Sequence, residues 1–290
     1  MQKTKSLKSL ILSDILMLVC VVLLLYPIVS DVWNGYHSSY MVSEYDESVE
    51  DMSEEDYEKI LAEARAYNKT LVDKGNSRFS MSEEERDYYK SLLTVKGTDT
   101  IAYITCNKIG VKNLPIYHGT SSSVLQVGVG HYEGSSLPVG GKGTHSVLSG
   151  HTGMAGLKMF SELSKLEKGD TFTIKVLNQT LTYQVDDINE VYPDDVSHLE
   201  IDPEEDYCTL VTCIPIGINS QRLLVRGKRI PTKEEKFIEE KRDGKGVTRK
   251  VWEWLMTRFA AYELLMALAA ILIVVVFLIP DMVRIGRRKK

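Results

Sequence analysis

Cysteine is scarce in this sequence, and the patterns that would give it a structural role are missing. The 290 residues include four cysteines, and no two of them form a C-x-x-C pair, which argues against a zinc ribbon. Cys20 lies in an apolar run, and the spacing of Cys106, Cys208 and Cys213 does not make a disulfide framework. A bridge between Cys106 and Cys208 stays open, but we favour two small buried residues in strands.

The patterns of metal and cofactor sites are also missing. Four of the six histidines, His118, His131, His145 and His151, lie in glycine-rich loops, and imidazole is the commonest metal ligand. None of these pairs has the i, i+4 helical spacing of a zinc peptidase. No motif indicates nucleotide or haem binding. We therefore predict that the protein carries neither a metal nor an organic cofactor.

Charge is unevenly distributed, because bases flank two long apolar runs. Residues 10–29 contain one charge, Asp14, and residues 264–280 contain none. Each run is about long enough to cross the roughly 30 Å hydrocarbon layer as a helix. No small-x-small cleavage site accompanies the first run, which argues against a signal peptide. Both basic ends are predicted to be cytoplasmic; the bases are Lys3, Lys5, Lys8, Arg284, Arg287, Arg288, Lys289 and Lys290.

The resulting prediction is a two-pass membrane protein with an external domain. Residues 1–9 and 281–290 are cytoplasmic in this scheme, transmembrane helices cover 10–29 and 259–280, and everything between them is extracellular. When the eight flanking bases and the three acids of the flanking segments are left out, the net charge changes from −5 to −10. An acidic external part argues against nucleic acid as a partner.

The first part of the external region, residues 30–98, is predicted to be helical after a polar connector over 31–50. Ser53-Glu-Glu-Asp56 and Ser82-Glu-Glu-Glu85 are both typical of a capped helix start. The first helix repeats apolar residues at helical spacing, namely Ile60, Ala64, Tyr67 and Leu71. This acidic helical pair, over about 53–93, is either packed on the domain as an appendage, which we favour, or a gate over the site.

Beyond Thr100 short β-rich runs replace the helical periodicity, and turn residues separate them. Several short strands at modest spacing predict a closed barrel over 99–231. Short helices are predicted over 122–126 and 158–165, and a charged juxtamembrane segment over 232–258 leads back to the membrane. The strand runs are Ile101–Ile104, Leu114–Tyr117, Ser146–Leu148, Thr171–Val176, Leu181–Val185, Thr209–Thr212 and Leu223–Val225.

The residues that suggest chemistry surround Cys213. The β-branched apolar run Thr209-Leu-Val-Thr-Cys213 predicts a buried strand that ends with a thiol at the rim of a sheet. A reactive thiolate needs a nearby imidazole or cation, and the oxyanion on an attacked carbonyl needs a donor. His151, in Ser149-Gly-His151, and Arg222, which opens the next strand, are the candidates for these two roles.

Each of these two candidates has a rival. His145 lies six residues before His151, and Arg226 lies four residues after Arg222, on the same face of an alternating strand. We prefer Arg222 because it is nearer the loop that follows Cys213, and the residues alone leave His145 open.

Several segments of the chain resemble those of a known family. Thr209-Leu-Val-Thr-Cys213, Leu148-Ser-Gly-His-Thr-Gly153 and Arg222-Leu-Leu-Val-Arg-Gly227 resemble the signature segments of sortases. Four others resemble the class C, pilus-assembling branch more narrowly: Leu114-Pro-Ile-Tyr-His-Gly119, Gly128-Val-Gly-His131, Ser136-Leu-Pro-Val-Gly-Gly141 and Gly143-Thr-His-Ser-Val147. The likeness runs from about Ile101 to Pro231. It implies a mainly β protein built on a closed barrel of about eight strands, and two terminal anchors fit class C.

The resemblance also implies a role for each site residue. Cys213 would attack the threonine carbonyl of an Leu-Pro-x-Thr-Gly-like sorting signal and form a thioacyl enzyme. His151 would protonate the leaving amine, and Arg222 would hold the substrate and its oxyanion. An amine would then resolve the thioacyl enzyme, which for class C is typically a lysine of the next pilin subunit. The implied partners are therefore sorting-signal-bearing surface or pilin proteins and an amine acceptor, on the outer face of a Gram-positive-type cell.

The sequence departs from the family pattern in two places. Class C sortases usually carry an Asp-Pro-aromatic lid before the barrel, but no proline lies between Ser30 and Leu114. The nearest analogue is Ser77-Arg-Phe79, which makes Phe79 the lid candidate. After the cysteine, Ile214-Pro-Ile-Gly217 stands where Thr-Pro-Tyr-Gly is common, which makes the wall of the cleft more aliphatic.

Three other functions stay possible at this point. A sortase that anchors proteins to a peptidoglycan precursor would share the chemistry and differ in the amine. An extracellular cysteine protease of the papain type would place its cysteine before its histidine, whereas His151 precedes Cys213 here. A non-catalytic adhesion module would leave the thiol unreactive.

Overall fold

The computed structural model describes residues 7–153 and 159–232. The chain divides into two units, Met1–Trp33 with Lys236–Lys290, and Asn34–Glu235. Within the described residues, no helix combines the length and the apolarity needed to cross a membrane. The predicted span 259–280, residues 233–258 of the juxtamembrane segment and the basic tail lie outside the described residues.

Three helices precede the barrel, and their starts follow the capping pattern of the sequence. They are α1 (Leu7–Glu50), α2 (Glu54–Val72) and α3 (Glu83–Ser91). The Oγ atoms of Ser53 and Ser82 each accept from the backbone N–H three residues later, at 3.2 Å in both cases, so both predicted helix starts are confirmed. A short 3₁₀ turn, Gly75–Phe79, joins α2 to α3. The predicted connector over 31–50 is helical, because α1 continues to Glu50.

Eight strands form a closed barrel in the order β1-β2-β3-β4-β7-β8-β6-β5, as predicted. The β2–β3 and β4–β7 pairs are parallel, and the other six are antiparallel. The strands are β1 (Ala102–Cys106), β2 (Val111–His118), β3 (Val129–His131), β4 (Thr144–Ser149), β5 (Thr171–Val176), β6 (Gln179–Val191), β7 (Asp206–Ile214) and β8 (Gln221–Ile230).

The predicted short helices have different outcomes. The first forms α4 (Ser122–Val127), capped by Ser121. In place of the second, the described part of 158–165 contains a single 3₁₀ turn, Leu163–Lys165. One strand, β3, was not predicted, because Val129-Gly-His131 is too short to show an alternating pattern.

The helical pair α2–α3 is part of the main core. Leu61, Ala64 and Leu71 of α2 are buried at helical spacing, and they join the same apolar cluster as barrel residues such as Ile104 and Leu210. Tyr89 of α3 is fully buried. The pair therefore contributes to the barrel's hydrophobic interior, which supports the favoured interpretation that it packs on the domain.

Buried hydrogen bonds also tie these helices to the barrel. Asn68 of α2 donates to the carbonyl of Leu137 at 3.0 Å and accepts from its N–H at 2.7 Å. The hydroxyl of Tyr89 lies 2.7 Å from Nδ1 of His131 and accepts from the N–H of Gly119 at 3.2 Å. Because these groups are buried, separating the helices from the barrel would leave them without partners.

Candidate active site

Cys213 and Arg222 face each other across two neighbouring strands. Cys213 is the penultimate residue of β7, and Arg222 is the second residue of β8; the antiparallel register pairs them directly. Directly paired residues of a ladder share a face of the sheet, with Cβ atoms about 4.5–5.5 Å apart. Both side chains are half-buried. The Arg222 guanidinium donates to the carbonyls of Asn219 and Gln221, at 3.0 Å each, and these bonds hold it over the β7–β8 loop.

His151 emerges at the same edge of the barrel, because β4 runs parallel to β7. The register pairs Ser149 with Val211, and the N–H of Gly150 donates to the carbonyl of Val211 at 3.0 Å. The hydroxyl of Thr212 donates to the carbonyl of Gly150 at 2.7 Å. The chain is therefore fastened to β7 up to the residue before His151, whose side chain is half-buried. The fold brings all three predicted site residues to one edge.

The position before His151 has no room for a side chain, which explains why it is a glycine. A Cβ atom at this position would lie 2.6 Å from Cδ2 of the Phe160 ring. The aromatic ring thus packs directly on the backbone, and any side chain would push the His151 turn away from β7. The N–H of Phe160 also donates to the carbonyl of His151 at 3.2 Å, which holds the turn from the other side.

The rival histidine occupies a structural position. His145 is buried, with Nδ1 at 2.7 Å from the carbonyl of Glu200 and Nε2 at 2.7 Å from the hydroxyl of Thr209. Burial is the main cause that lowers its pKa to about 4. Both ring nitrogens are engaged, so His145 is not available to a substrate.

The rival arginine also occupies a structural position. Arg226 pairs in register with Thr209, four residues before Cys213. Its guanidinium donates twice to the Asp186 carboxylate, at 3.1 and 2.7 Å, and lies 4.3 Å from the centre of the Tyr207 ring. The Asp186 carboxylate raises the pKa of Arg226. Arg226 is thus committed to an ion pair, which leaves Arg222 as the arginine beside the thiol.

Cys106, Cys208 and His131 are buried in the fold. Cys106 and Cys208 are both free thiols, so the bridge that the sequence left open is not formed. Burial raises the pKa of both, and that of Cys208 lies well above its usual value. His131 is fully buried and its pKa is lowered to about 3 by burial. Among the described residues, no three His, Cys, Asp or Glu side chains are grouped as metal ligands would be.

Phe79, the lid candidate, packs on the sheet face that carries Cys213. Its ring contacts Tyr132 edge-on, with centroids 5.6 Å apart. Phe79 packs against a small apolar cluster that contains Leu224 of β8, and Val211 of β7 packs against the same cluster. Val211 and Leu224 lie two positions from Cys213 and Arg222. Since side chains alternate along a strand, all four point to the same side of the sheet. The ring therefore packs on the same side of the sheet as the Cys213–Arg222 pair, against a cluster that begins two positions along β8.

The loop after Cys213 makes an aliphatic rim, as the sequence predicted. Ile216 and Ile218 are 62% and 73% exposed, although large apolar side chains are usually covered. A Cβ atom on Gly153 would lie 2.8 Å from Cγ2 of Ile216, so this loop contacts the turn that follows His151. The apolar rim therefore extends between the two loops that carry the thiol and the imidazole.

Comparison with known proteins agrees with this geometry. Residues 104–230 match the model of the Sortase domain family. Sortase C1 of Streptococcus agalactiae is 49% identical, with a TM-score of 0.64 over 66% of this chain and 98% of that structure. A Streptococcus pneumoniae sortase C, whose structure bears on pilin substrate specificity, is 42% identical, with a TM-score of 0.57 over 66% of this chain and 96% of that one.

Two further relatives extend the comparison. Clostridium perfringens sortase C, solved with a C-terminal cell wall sorting motif, is 40% identical, with a TM-score of 0.59 over 67% of this chain and all of that structure (100%). Among curated proteins, a sortase A of Streptococcus agalactiae is 30% identical over 131 residues, which are 44% of this chain and 52% of that protein. A sortase A of Bacillus anthracis is 34% identical over 96 residues, 33% of this chain and 45% of that protein. The chain thus spans about half the length of these curated relatives. It belongs to the sortase family of cysteine transpeptidases, in the class C branch.

Proposed function

We propose that this chain is a membrane-anchored cysteine transpeptidase that joins pilin subunits. The observation that supports it most directly is the register pairing of Cys213 with Arg222, at the edge where β4 delivers His151. In this proposal the two apolar runs of the sequence hold the chain in the membrane, with both ends cytoplasmic and the barrel outside. The support for the anchors is the sequence itself, where bases flank each run.

The reaction proceeds in two acyl transfers. The Cys213 thiolate attacks the threonine carbonyl of an Leu-Pro-x-Thr-Gly-like signal, and the tetrahedral oxyanion accepts hydrogen bonds from Arg222. Protonated His151 gives its proton to the departing glycine amine as the C–N bond breaks, which leaves a thioester on Cys213. A pilin lysine amine then attacks the thioester, His151 takes its proton back, and an isopeptide bond replaces the thioester.

The choice of pilin over peptidoglycan rests on which relatives are most similar over the whole barrel. The sortase C structures match at 40–49% identity and are covered almost completely, and the Streptococcus pneumoniae structure among them bears on pilin substrate specificity. The curated sortase A proteins match at lower identity over about half their length. Anchoring to a peptidoglycan precursor is therefore the second candidate, and the amine acceptor distinguishes the two.

The test is a transpeptidation assay on the full-length chain purified in detergent. Wild type is incubated with an Leu-Pro-x-Thr-Gly peptide and either a lysine-side-chain amine or a peptidoglycan cross-bridge amine, and mass spectrometry follows the thioacyl adduct and the amide product. We expect an adduct on Cys213 and a product with the lysine amine. Cys213→Ala and His151→Ala each lower the rate by at least about 10³-fold.

The assay has internal controls. Arg222→Ala lowers the rate on the order of 10²–10³-fold, as for the loss of an oxyanion donor, while Arg65→Ala, an exposed arginine on α2, leaves it unchanged. A product with the cross-bridge amine alone would replace pilin assembly by cell-wall anchoring. A wild-type chain that forms no adduct although Cys213 reacts with iodoacetamide would refute the proposed substrate.

Phe79 is the cover of the cleft in this proposal. The support is its packing against the apolar cluster of Leu224, on the sheet face that also carries Cys213. The helical pair stays in place when the cleft opens in this proposal, because Asn68 and Tyr89 bind α2 and α3 to the barrel. Phe79→Ala is expected to raise the initial rate with peptide, whereas deleting all of 31–98 removes part of the core and tests stability instead.

A further inference from the structure

Arg78, next to the lid candidate, is a buried cation. Its residue surface is 3% exposed, although arginine is almost never fully buried unless it is paired. The guanidinium donates to the carbonyl of Gly75 at 2.8 Å and to the carbonyl of Leu199. Its Nε is buried and has no hydrogen-bond partner in the part of the chain that the structure describes. A charge in this position needs a structural reason.

The bond to Leu199 joins two elements that are distant in sequence. Leu199 ends a 3₁₀ turn, Ser197–Leu199, in the β6–β7 loop (residues 192–205). The next carbonyl of that loop, Glu200, lies 2.7 Å from Nδ1 of His145, so the loop is held by Arg78 from outside the barrel and by His145 from the barrel wall.

The Gly75–Phe79 turn is also confined on its other side. Gly134 lies in the loop between β3 and β4. A Cβ atom at Gly134 would lie 2.3 Å from the carbonyl oxygen of Arg78, so the turn packs directly on the backbone of the β3–β4 loop. The guanidinium itself lies 4.4 Å from the centre of the Phe79 ring. The side chain thus contacts the aromatic cover and holds the backbone of the β6–β7 loop at the same time.

We infer that Arg78 is a positioning residue, which fastens the turn carrying Phe79 to the β6–β7 loop and thereby holds the cover in place over the sheet face beside Cys213. Leu199 and Phe79 are in the same apolar cluster as Val211 and Leu224, so moving the turn or the loop uncovers that face. A planar guanidinium can donate to two carbonyls at once, and a lysine ammonium cannot reproduce that fork. The inference rests on the proposed function only where it concerns substrate entry.

The experiment measures access to Cys213 without any substrate. Full-length wild type and variants in detergent are treated with iodoacetamide at neutral pH, and mass spectrometry of the Cys213 peptide gives the alkylation rate. Arg78→Met removes the donors and keeps an apolar stem of similar length, whereas Arg78→Lys keeps the charge. Arg86→Met is the matched control, because Arg86 is an exposed α3 cation that pairs with Glu133 at 2.9 Å.

We expect Arg78→Met to raise the alkylation rate on the order of tenfold, since two hydrogen bonds from a charged donor hold the closed arrangement. Arg78→Lys gives an intermediate rate and Arg86→Met the wild-type rate. With peptide substrate, Arg78→Met changes KM more than kcat, because the residue does not touch the reacting atoms.

Two results would overturn the inference. One is a cooperatively folded Arg78→Met chain that alkylates at the wild-type rate. The other is an Arg78→Met chain that loses its cooperative melting transition while folded Arg78→Lys alkylates like wild type, which makes Arg78 a purely structural residue. If Arg78→Met alkylates faster but neither wild type nor any variant transpeptidates, the positioning role is supported and the proposed function is refuted. If wild type transpeptidates but Arg78→Met alkylates at the wild-type rate, only the positioning role is refuted.

Discussion

The substitution Asn68→Ala tests whether the helical pair and the barrel are one folding unit. Asn68 is 2% exposed and makes two hydrogen bonds to the backbone of Leu137, which is fully buried. Alanine leaves a buried N–H and a buried C=O without partners, and each costs about 1–3 kcal/mol. The better helix propensity of alanine returns less than about 0.7 kcal/mol. The free energy of unfolding should therefore fall by roughly 2–5 kcal/mol, a large part of the 5–15 kcal/mol of a typical domain.

The assay is urea unfolding of the full-length chain, followed by circular dichroism at a helix-sensitive wavelength and by tyrosine fluorescence. Both signals should change in one transition, with a lower midpoint in Asn68→Ala. Lys69→Ala is the matched control, because the next residue of α2 is exposed and its substitution should change stability by less than about 0.5 kcal/mol. A loss below about 1 kcal/mol in Asn68→Ala, or a helical signal that disappears before the barrel unfolds, would show that the pair and the barrel are not one folding unit.

Two further predictions concern the strand that leads to the site and its buried histidine. Gly150→Ala should lower the free energy of unfolding by about 1–3 kcal/mol, because the new Cβ meets the Phe160 ring, and urea titration measures this loss. It should also lower the transpeptidation rate in the peptide assay, because it displaces His151. His145 has a pKa of about 4 in the folded chain and about 6.5 when unfolded, so the unfolded state takes up the proton first as the pH falls. Its contribution to stability is complete above pH 6.5 and decreases towards pH 4, by roughly 2 kcal/mol between pH 6.5 and 5. Unfolding curves at several pH values should show this slope in wild type and a flatter one in His145→Gln, and equal slopes would contradict the argument.

The sequence was enough to predict those helices and strands whose bounds depend on neighbouring residues. The serine caps of α2 and α3 are short-range hydrogen bonds, and they are written in four consecutive residues each. Strand β5 occupies the predicted range, Thr171–Val176, and its buried residues alternate with exposed or half-buried ones. Strand β3 lacks such a pattern because three residues are too few for one. The helix over 31–50 was not foreseen, because a polar composition does not by itself end a helix that has already begun.

Features that depend on distant residues could not be read from the sequence. Asn68 looks like any polar residue of an amphipathic helix until Leu137 packs against it. Arg78 sits in a turn that the sequence marked only for its aromatic neighbour, and its partner Leu199 comes from a loop 121 positions later. Contacts between distant parts of the chain therefore decide which polar residues are buried and hydrogen-bonded. These are the residues that could not be predicted from the sequence.

The assembly of the site follows from the direction of three strands. Parallel pairing places the carboxyl ends of β4 and β7 at one edge of the barrel, so the residues that follow or end them, His151 and Cys213, lie together. Antiparallel pairing makes β8 begin at that edge, which brings in Arg222. His145 and Arg226 lie on the same face but farther from that edge, where they bind the strands and loops around them. A shift of one residue in the register of β7 would turn Cys213 to the opposite face of the sheet, so the hydrogen bonds of Gly150 and Thr212 fix the chemistry as well as the fold.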